Sequence, residues 1–504
     1  MHGAKIRRVR RALAVTVALL AMTGTAHARP PVVLVIFDAL PVQLLQDDQH
    51  RIDAVRFPNF AAFAAGGTWY RHATTISEAT RFSVPAMLDG RQPRPGVRET
   101  YAGHPSNLFT LLAPHYRLNV WEEATQLCPR SLCKPRGPMD VIWRMRHGRA
   151  QRFRAGVAGV QGGGGRPQLT FIHTLFPHEP RKYLPDGRSY RQATGPDALG
   201  GPPSYDNRFL TEQVEQRTLL QLQFTDHLLG ELVARMKQVG VFNRSMVALM
   251  SDHGESFDVK RGPAAPFQRG KLTYRRAVTE QNLEDIAGIA MFVKYPGQRR
   301  GLVDDRFVRH PDLLPTILRA ADIPKPPGLI GHDLLDKGYR GHRIVQVEKQ
   351  DGRFVSMPVQ RWLARVAASK AHELSLFGSG EQSLFSFGPA PALLGVPVDD
   401  LTAKAPGSLQ ASVAGADAIA RVSTHGSFLP AQVYGTLTGG QAAGHTLAFA
   451  LNGTVVATAP SFAPLGKEHV AFSAMLPPGA FRDGPNRLEI FDVLGDRQVR
   501  RLYG

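Results

Sequence analysis

Three groups of residues in this chain have the types and spacing to do chemistry. The first is SEATRFSVPAMLDG, Ser77 to Gly90, where the hydroxyl residues Ser77, Thr80 and Ser83 stand ahead of a stretch that reads as a helix. In the second, MSDHGESF, Asp252 and His253 follow a short apolar run. Asp beside His is a mixed oxygen and nitrogen pair suited to a divalent cation such as zinc or manganese. The third is PVVLVIFDAL, a continuous apolar run that ends on Asp38. Each has an ordinary structural role as well. A lone strand-end Asp is by default a cap or turn residue, and Thr80 or Ser83 can cap a helix with Pro85 in its early turn. Capping and nucleophilicity are compatible, so the residue types alone leave Thr80 and Ser83 both open as nucleophiles.

The elements around these groups tell how they could meet. A run as apolar as PVVLVIFDAL reads as a strand buried on both faces of a parallel sheet. LNVWEE, LTFIHTL, SMVALMSDHG and IAGIAMFVKYPG are four more short apolar runs, separated by helix-like segments. The alternation predicts a doubly wound, mostly parallel α/β sheet. The longest predicted helix runs from Leu210 to about Gln238, with Gly240 as its stop. FPNFAAFAAGG and HPDLLPTILRAADIP are shorter helical stretches. Ligands of open α/β sheets sit beyond the carboxyl ends of the strands, which is where Asp38 and the Asp252–His253 pair fall. Two acidic ligands from two strand ends can therefore converge on one site.

Beyond the sheet the pattern changes. Residues 29–345 form the predicted catalytic domain, and 346–410 are expected to be an irregular linker rich in Gly, Pro and Ser. From 411 to 504, segments such as HTLAFALNGTVVATAPS alternate apolar and polar residues, with Asn452-Gly453 as a hairpin turn, and predict a separate small β-sandwich-like domain.

The chain has 504 residues, enough for about two to three folding units. Its N-terminus has a basic start, an apolar run from about Ala12 to Met22 and the ending Ala26-His27-Ala28, which predict a signal peptide over 1–28 and a periplasmic or secreted protein. The apolar run falls short of the roughly 20 residues of a spanning helix. In an oxidising compartment the only two cysteines, Cys128 and Cys133, are expected to pair as a local disulfide. A formal net charge of +19 in an exported protein argues against nucleic acid as partner. It suits anionic envelope polymers, lipid head groups at a membrane surface, or phosphate-bearing substrates. Nothing in the sequence speaks to oligomeric state.

The order of these motifs resembles the alkaline phosphatase superfamily, and within it the sulfatase-like branch of sulfatases, lipoteichoic acid synthases and lipid A phosphoethanolamine transferases. The resemblance covers about Val32 to Leu334: the strand with Asp38, then RFPNFAAFAAGG, ATRFSVPAMLDGRQP, PHEPRKYLPDG, SDHGES and HPDLLPTILRAADI. Sulfatases carry a Cys or Ser that is oxidised to formylglycine, followed by x-Pro-x-Arg and a later Leu-Thr-Gly. Setting Leu88-Asp89-Gly90 on that last triplet places Thr80 on the nucleophile position, and Thr is what the phosphoryl-transferring members use. A secondary alcohol cannot be oxidised to an aldehyde, and the Arg expected four residues on is Val84. The alternative register, in which Ser83 serves a sulfatase, meets Met87 instead.

The resemblance also implies a ligand set. Sulfatases have an Asp-Asp pair after the first strand and Asp-Asn at the later site, which bind calcium through oxygen alone. Here Ala39 follows Asp38, and position 253 is His. Asp38, Thr80, Asp252 and His253 are thus the expected holders of one divalent metal, zinc or manganese. His178, in Pro-His-Glu-Pro, matches the position that contacts the transferred group. His173 and Lys182 are expected on the substrate side, and Arg275 and Arg276 are further cations that could hold a phosphate. The chemistry expected is hydrolysis or transfer of phosphate esters of an envelope or extracellular small molecule through Thr80. The alternatives are sulfate ester hydrolysis through Ser83 and a non-catalytic envelope-binding protein.

Overall fold

The computed structural model describes residues 29–134, 140–190, 207–257, 277–440, 443–463 and 469–504. The predicted signal peptide, Arg275 and Arg276 lie outside these residues.

Burial on both faces explains the central sheet. Strands β1 (Val32–Asp38), β2 (Thr68–Tyr70), β3 (Arg117–Trp121), β4 (Gln168–Pro177), β5 (Met246–Ser251), β6 (Met291–Lys294) and β7 (Leu302–Asp304) pair in the order β3-β4-β1-β5-β6-β2-β7. Strands β3, β4, β1 and β5 are mutually parallel, whereas β6 runs antiparallel to both β5 and β2. All seven residues of β1 are buried, so each face must be covered by other elements.

Ten α-helices occur among the described residues: α1 (Pro58–Ala64), α2 (Thr80–Asp89), α3 (Leu108–Leu112), α4 (Val141–Arg146), α5 (Arg149–Ala158), α6 (Arg208–Gln238), α7 (Leu283–Ala287), α8 (Leu313–Ala320), α9 (Val359–Phe377) and α10 (Ala416–Ile419). Side chains alternate across a strand, and this divides the core. Val32, Leu34 and Ile36 join Leu169, Phe171, Met246, Ala248 and Met250 in one cluster with Val84, Met87 and Leu88 of α2. Val33, Val35 and Phe37 face Leu219, Leu222 and Leu229 of α6 on the other side. Extending that alternation by one step puts Asp38, His173 and Asp252 on the α2 side of the sheet. Helix α2 ends at Gly90, whose φ of +66° is the left-handed conformation that glycine adopts without a Cβ penalty.

Residues 346–410, all expected to be irregular, are regular as far as Phe377. Strands β8 (Ile344–Glu348) and β9 (Phe354–Pro358) form a hairpin, and the 19-residue α9 follows. Scattered polar residues hid the single buried stripe, Trp362, Val366 and Phe377, that α9 presents to the core. The apolar run IAGIAMFVKYPG also divides, into the end of α7 and β6.

The C-terminal strands are β10 (Thr402–Ala403), β11 (Gln410–Val413), β12 (Gln432–Thr438), β13 (Thr446–Leu451), β14 (Thr454–Pro460), β15 (Val470–Met475), β16 (Leu488–Val493) and β17 (Gln498–Tyr503). They make a five-stranded sheet, β10-β17-β16-β13-β14, and a three-stranded one, β11-β12-β15. Their core is continuous with that of α6: Phe449 and Phe472 belong to the same cluster as Leu219 and Leu228. Gln213 Nε2 on α6 donates to the Ser473 carbonyl at 3.0 Å. This packing explains why even Glu212, Gln213, Glu215 and Gln216 of α6 are buried. Cys128 and Cys133 form the expected disulfide, with Cα atoms 5.9 Å apart.

Candidate active site

The site begins with two strand ends sewn together. Beyond Asp38 the chain turns through Ala39, whose φ of 59° is a left-handed conformation uncommon for a residue with a Cβ. That turn aims the Ala39 N–H at Asp252 Oδ1, 3.0 Å away, and the Leu40 N–H at Ser251 Oγ, 2.8 Å away. Asp252 Oδ1 also accepts from the His253 N–H at 2.8 Å. One Asp252 oxygen is thereby saturated, while Oδ2 is buried without a hydrogen-bond partner among the described residues. A strained backbone that the surroundings hold in place is a recurrent feature of functional sites.

Asp-His-Gly needs its glycine for space. A Cβ on Gly254 would lie 1.9 Å from the Asp285 carbonyl oxygen. The close approach lets the Gly254 N–H donate to the Ile286 carbonyl at 2.8 Å, which fixes the turn carrying His253.

His253 is oriented by its own turn. Its Nδ1 lies 2.8 Å from the Gly254 carbonyl, so Nδ1 carries the proton and Nε2 presents its lone pair. That Nε2 sits 3.3 Å from Thr80 Oγ1, 3.5 Å from Asp252 Oδ2 and 4.0 Å from Asp38 Oδ1. The four residues expected to share a metal therefore meet.

His173 is placed differently from expectation. Read as a substrate contact, it is fully buried in β4, and its ring reaches the two aspartates: ligand atoms of Asp38, His173 and Asp252 all lie within 4.8 Å of one another. Neither ring nitrogen has a hydrogen-bond partner among the described residues. Burial pushes its pKa down to about 4, with the carboxylate of Asp252 opposing and the charges of His253 and Arg144 assisting. A neutral, unsatisfied imidazole next to carboxylate oxygens is costly by itself and is the donor set a divalent cation would satisfy. The residues fit a divalent metal.

Thr80 is the first residue of α2, with Ala79 at the N-cap position, so neither Thr80 nor Ser83 caps the helix. Ser83 is fully buried, and its hydroxyl donates to the Ala79 carbonyl at 3.1 Å. Only Thr80 of the two turns toward the acidic centre.

His178 follows the end of β4, and its Nδ1 bonds the Glu179 carbonyl at 2.9 Å. Its backbone is gripped by groups that the sequence did not single out. Arg149 donates to the carbonyls of His178 at 2.9 Å and Pro180 at 3.0 Å, and Gln221 to those of Pro177 at 2.7 Å and His178 at 3.0 Å. Burial pushes the Arg149 pKa down to about 10. Lys182 is spoken for elsewhere: its ammonium donates to the Arg146 carbonyl at 2.7 Å, and burial, then the charge of Arg149, takes its pKa to about 8. Beside it, Arg181 is buried and pairs with both oxygens of Glu255 at 2.7 Å, tying the PHEPRKY segment to the Asp-His-Gly-Glu turn. His310 is another fully buried imidazole here. Its Nε2 accepts from the Ile76 N–H at 3.2 Å, and Asp252 and His253 are among the charges acting on it. No sequence motif marks Arg149, and His310 opens the HPDLLPTILRAADI segment without having been read as a site residue; what each does is found through what it touches.

A family model described as Sulfatase matches residues 30–323. Among curated relatives, an ulvan-active sulfatase of Formosa agariphila is 26% identical over 172 residues, 33% of this chain and 31% of that protein. Arylsulfatase K of Homo sapiens is 29% identical over 111 residues, 22% of this chain and 18% of that protein. The chain thus spans less than a third of the length of these curated relatives. Among solved structures, a 2-O GAG sulfatase aligns with a TM-score of 0.47 at 12% identity, covering 69% of this chain and 88% of that one. A phosphonate monoester hydrolase from Silicibacter pomeroyi aligns with a TM-score of 0.43 at 15% identity, covering 63% and 80%.

Proposed function

The chain belongs to the sulfatase family, and from that premise we propose that it is an exported, metal-dependent hydrolase that cleaves phosphate esters with Thr80 as nucleophile. The observation that carries this reading is the approach of Thr80 Oγ1 to His253 Nε2, 3.3 Å, at the edge of the Asp38 and Asp252 pair. Asp38 and Asp252 would hold the cation, with His253 and Thr80 completing the set on one side and His173 on the other. When bound, the cation would acidify the Thr80 hydroxyl and screen the charge of the substrate.

The chain's own groups do the rest. Thr80 sits at the N-terminus of α2, whose first-turn amides and dipole favour a developing anion. The Thr80 proton passes to solvent, its oxygen bonds to phosphorus in line as the bond from phosphorus to the departing alcohol breaks, and that alcohol takes a proton from His178, leaving a phosphothreonine. Water or an acceptor alcohol then gives its proton to His178 as it attacks that phosphorus, and the released Thr80 oxygen takes a proton from solvent to restore the hydroxyl. Threonine favours phosphorus over sulfur because it cannot supply the aldehyde hydrate of formylglycine.

Sulfate ester hydrolysis stands as a second reading, since the ulvan-active and arylsulfatase relatives are named for it. Its proposed nucleophile, Ser83, is buried with its hydroxyl turned back to Ala79, which argues against that route. The deciding test supplies zinc or manganese to the mature protein on matched nitrophenyl phosphate monoester, phosphodiester and sulfate, beside Thr80→Ala and Ser83→Ala. Phosphoester turnover lost only with Thr80 supports the proposal. Sulfate turnover that depends on Ser83 overturns it. Silence on all three substrates, with no bound metal, favours the envelope-binding reading.

A further inference from the structure

The end of the sheet opposite the acidic centre carries a cavity of about 410 Å³. On its wall Pro31 stands just ahead of β1, Arg117 and Gln168 open β3 and β4, and Arg244 lies two residues ahead of β5. These are the amino ends of strands, whereas Asp38 and Asp252 stand at the carboxyl ends of β1 and β5. The seven residues of β1, at about 3.3 Å each, put the two sites roughly 20 Å apart.

The charge of this cavity is one-sided. Arg29, Arg117, Arg166 and Arg244 line it together with His115, and no carboxylate does. None of the four arginines forms an ion pair among the described residues. Three of them are held by neutral acceptors instead. Arg117 donates from Nη1 to Gln161 Oε1 and from Nη2 to the Gly163 carbonyl, both at 2.8 Å. Arg166 donates to the Tyr116 carbonyl at 3.3 Å, and Arg29 to the Ala321 carbonyl at 2.8 Å. Arg244 and His115 make no side-chain hydrogen bond among the described residues. The cations are thus fixed in place with no carboxylate to balance them.

The loop between α5 and β4 adds donors. Gly163, Gly164 and Gly165 are exposed on the cavity wall, and their N–H groups donate to nothing among the described residues. Gly164, at φ +96°, passes so close to Arg117 that a Cβ there would lie 3.1 Å from Nη2. Successive free amides beside guanidinium groups make a concavity suited to anions. Cleavage after Ala28, which the N-terminal pattern predicts, would add an α-ammonium at Arg29.

We propose that this cavity is a binding site for phosphate groups, separate from the ester-cleaving centre and independent of how that centre works. Guanidinium forks match the oxygens of a phosphate, and several cations without a carboxylate favour a group that carries more than one charge. A volume of about 410 Å³ has room for a diphosphate or for the head group of an anionic lipid.

The test is calorimetry with inorganic pyrophosphate on the mature protein, with chelator present so that no ester is turned over. Pyrophosphate is expected to bind, about threefold more weakly after Arg244→Ala and at least about 10-fold more weakly after Arg244→Glu, with an unchanged melting temperature. Asp252→Asn should bind it as wild type does. Without chelator, Arg244→Glu should leave nitrophenyl ester turnover unchanged. Absence of binding overturns the proposal, as does binding that Arg244→Glu leaves as it was. Binding lost in Asp252→Asn and kept in Arg244→Glu would place the anion at the ester-cleaving centre and also overturn it. Sedimentation with vesicles then separates the two sources of phosphate within the proposal. Pelleting with phosphatidylglycerol but not phosphatidylcholine, lost in Arg244→Glu, assigns a lipid head group, and pyrophosphate binding without pelleting assigns a free anion.

Discussion

Thr80 Oγ1 and His253 Nε2 stand 3.3 Å apart, although 173 residues separate them in the chain. The contact joins the first turn of α2 to the turn that follows β5, across the edge where Asp38 and Asp252 lie.

If Thr80 is the nucleophile, Thr80→Ala lowers turnover by about 10⁴-fold or more, on the scale of lost nucleophiles elsewhere. Its circular dichroism and melting temperature should stay near wild type. Ser83→Ala removes one buried hydrogen bond, costs about 1 kcal/mol, and leaves turnover within about threefold. Turnover that survives Thr80→Ala ends the assignment.

Metal content offers a check that does not depend on activity. The mature protein should retain stoichiometric zinc or manganese on dialysis, and both Asp252→Asn and His173→Ala should lose it by elemental analysis. A chelator should lower the melting temperature, since a ligand at about 100 times its Kd stabilises by about 2.7 kcal/mol. Retention of metal by His173→Ala would return that residue to a structural role.

The pH dependence has a definite sign. Burial pushes the His310 pKa down to about 3, so folded His310 stays neutral while the unfolded chain takes up a proton near the usual 6.5. The stability this group contributes is complete above pH 6.5 and is lost as pH falls from there toward 3. Urea unfolding of the chelated protein at pH 7.5 and pH 5 should show a larger loss in wild type than in His310→Gln, which can keep the acceptor for the Ile76 amide. Equal losses would contradict the burial argument.

Arg181 and Glu255 form a bidentate pair inside the protein. Arg181→Met leaves a carboxylate buried without its cation and should cost about 3–5 kcal/mol in urea unfolding. The double variant Arg181→Met/Glu255→Gln should recover part of that. A loss under about 1 kcal/mol would mean that water reaches Glu255.

How much of the site could be read from the sequence follows from how local each signal is. Asp38 and Asp252 sit at the ends of apolar runs, so strand burial places both at one sheet edge. The α6 helix was legible for the same reason, as a long periodic run with a glycine stop. By contrast, α9 went unread because only a few residues of its 19 are buried. The setting of His173 was not legible because a histidine within a strand usually has its ring satisfied. Only the packing shows that both nitrogens here lack partners and face carboxylates.

By itself, then, the sequence determined the parallel sheet and its two acidic strand ends, because hydrophobic periodicity and strand burial are properties of neighbouring residues. It also determined that the hydroxyl at position 80 cannot become an aldehyde, because that follows from the residue type. The tertiary structure decided that Thr80 and not Ser83 reaches His253, that His173 lies against the two carboxylates, and that Arg181 ties the His178 segment to Glu255. Those outcomes depend on distances between residues far apart in the chain, which arise when α2, β4 and the turn after β5 pack on one face of the sheet.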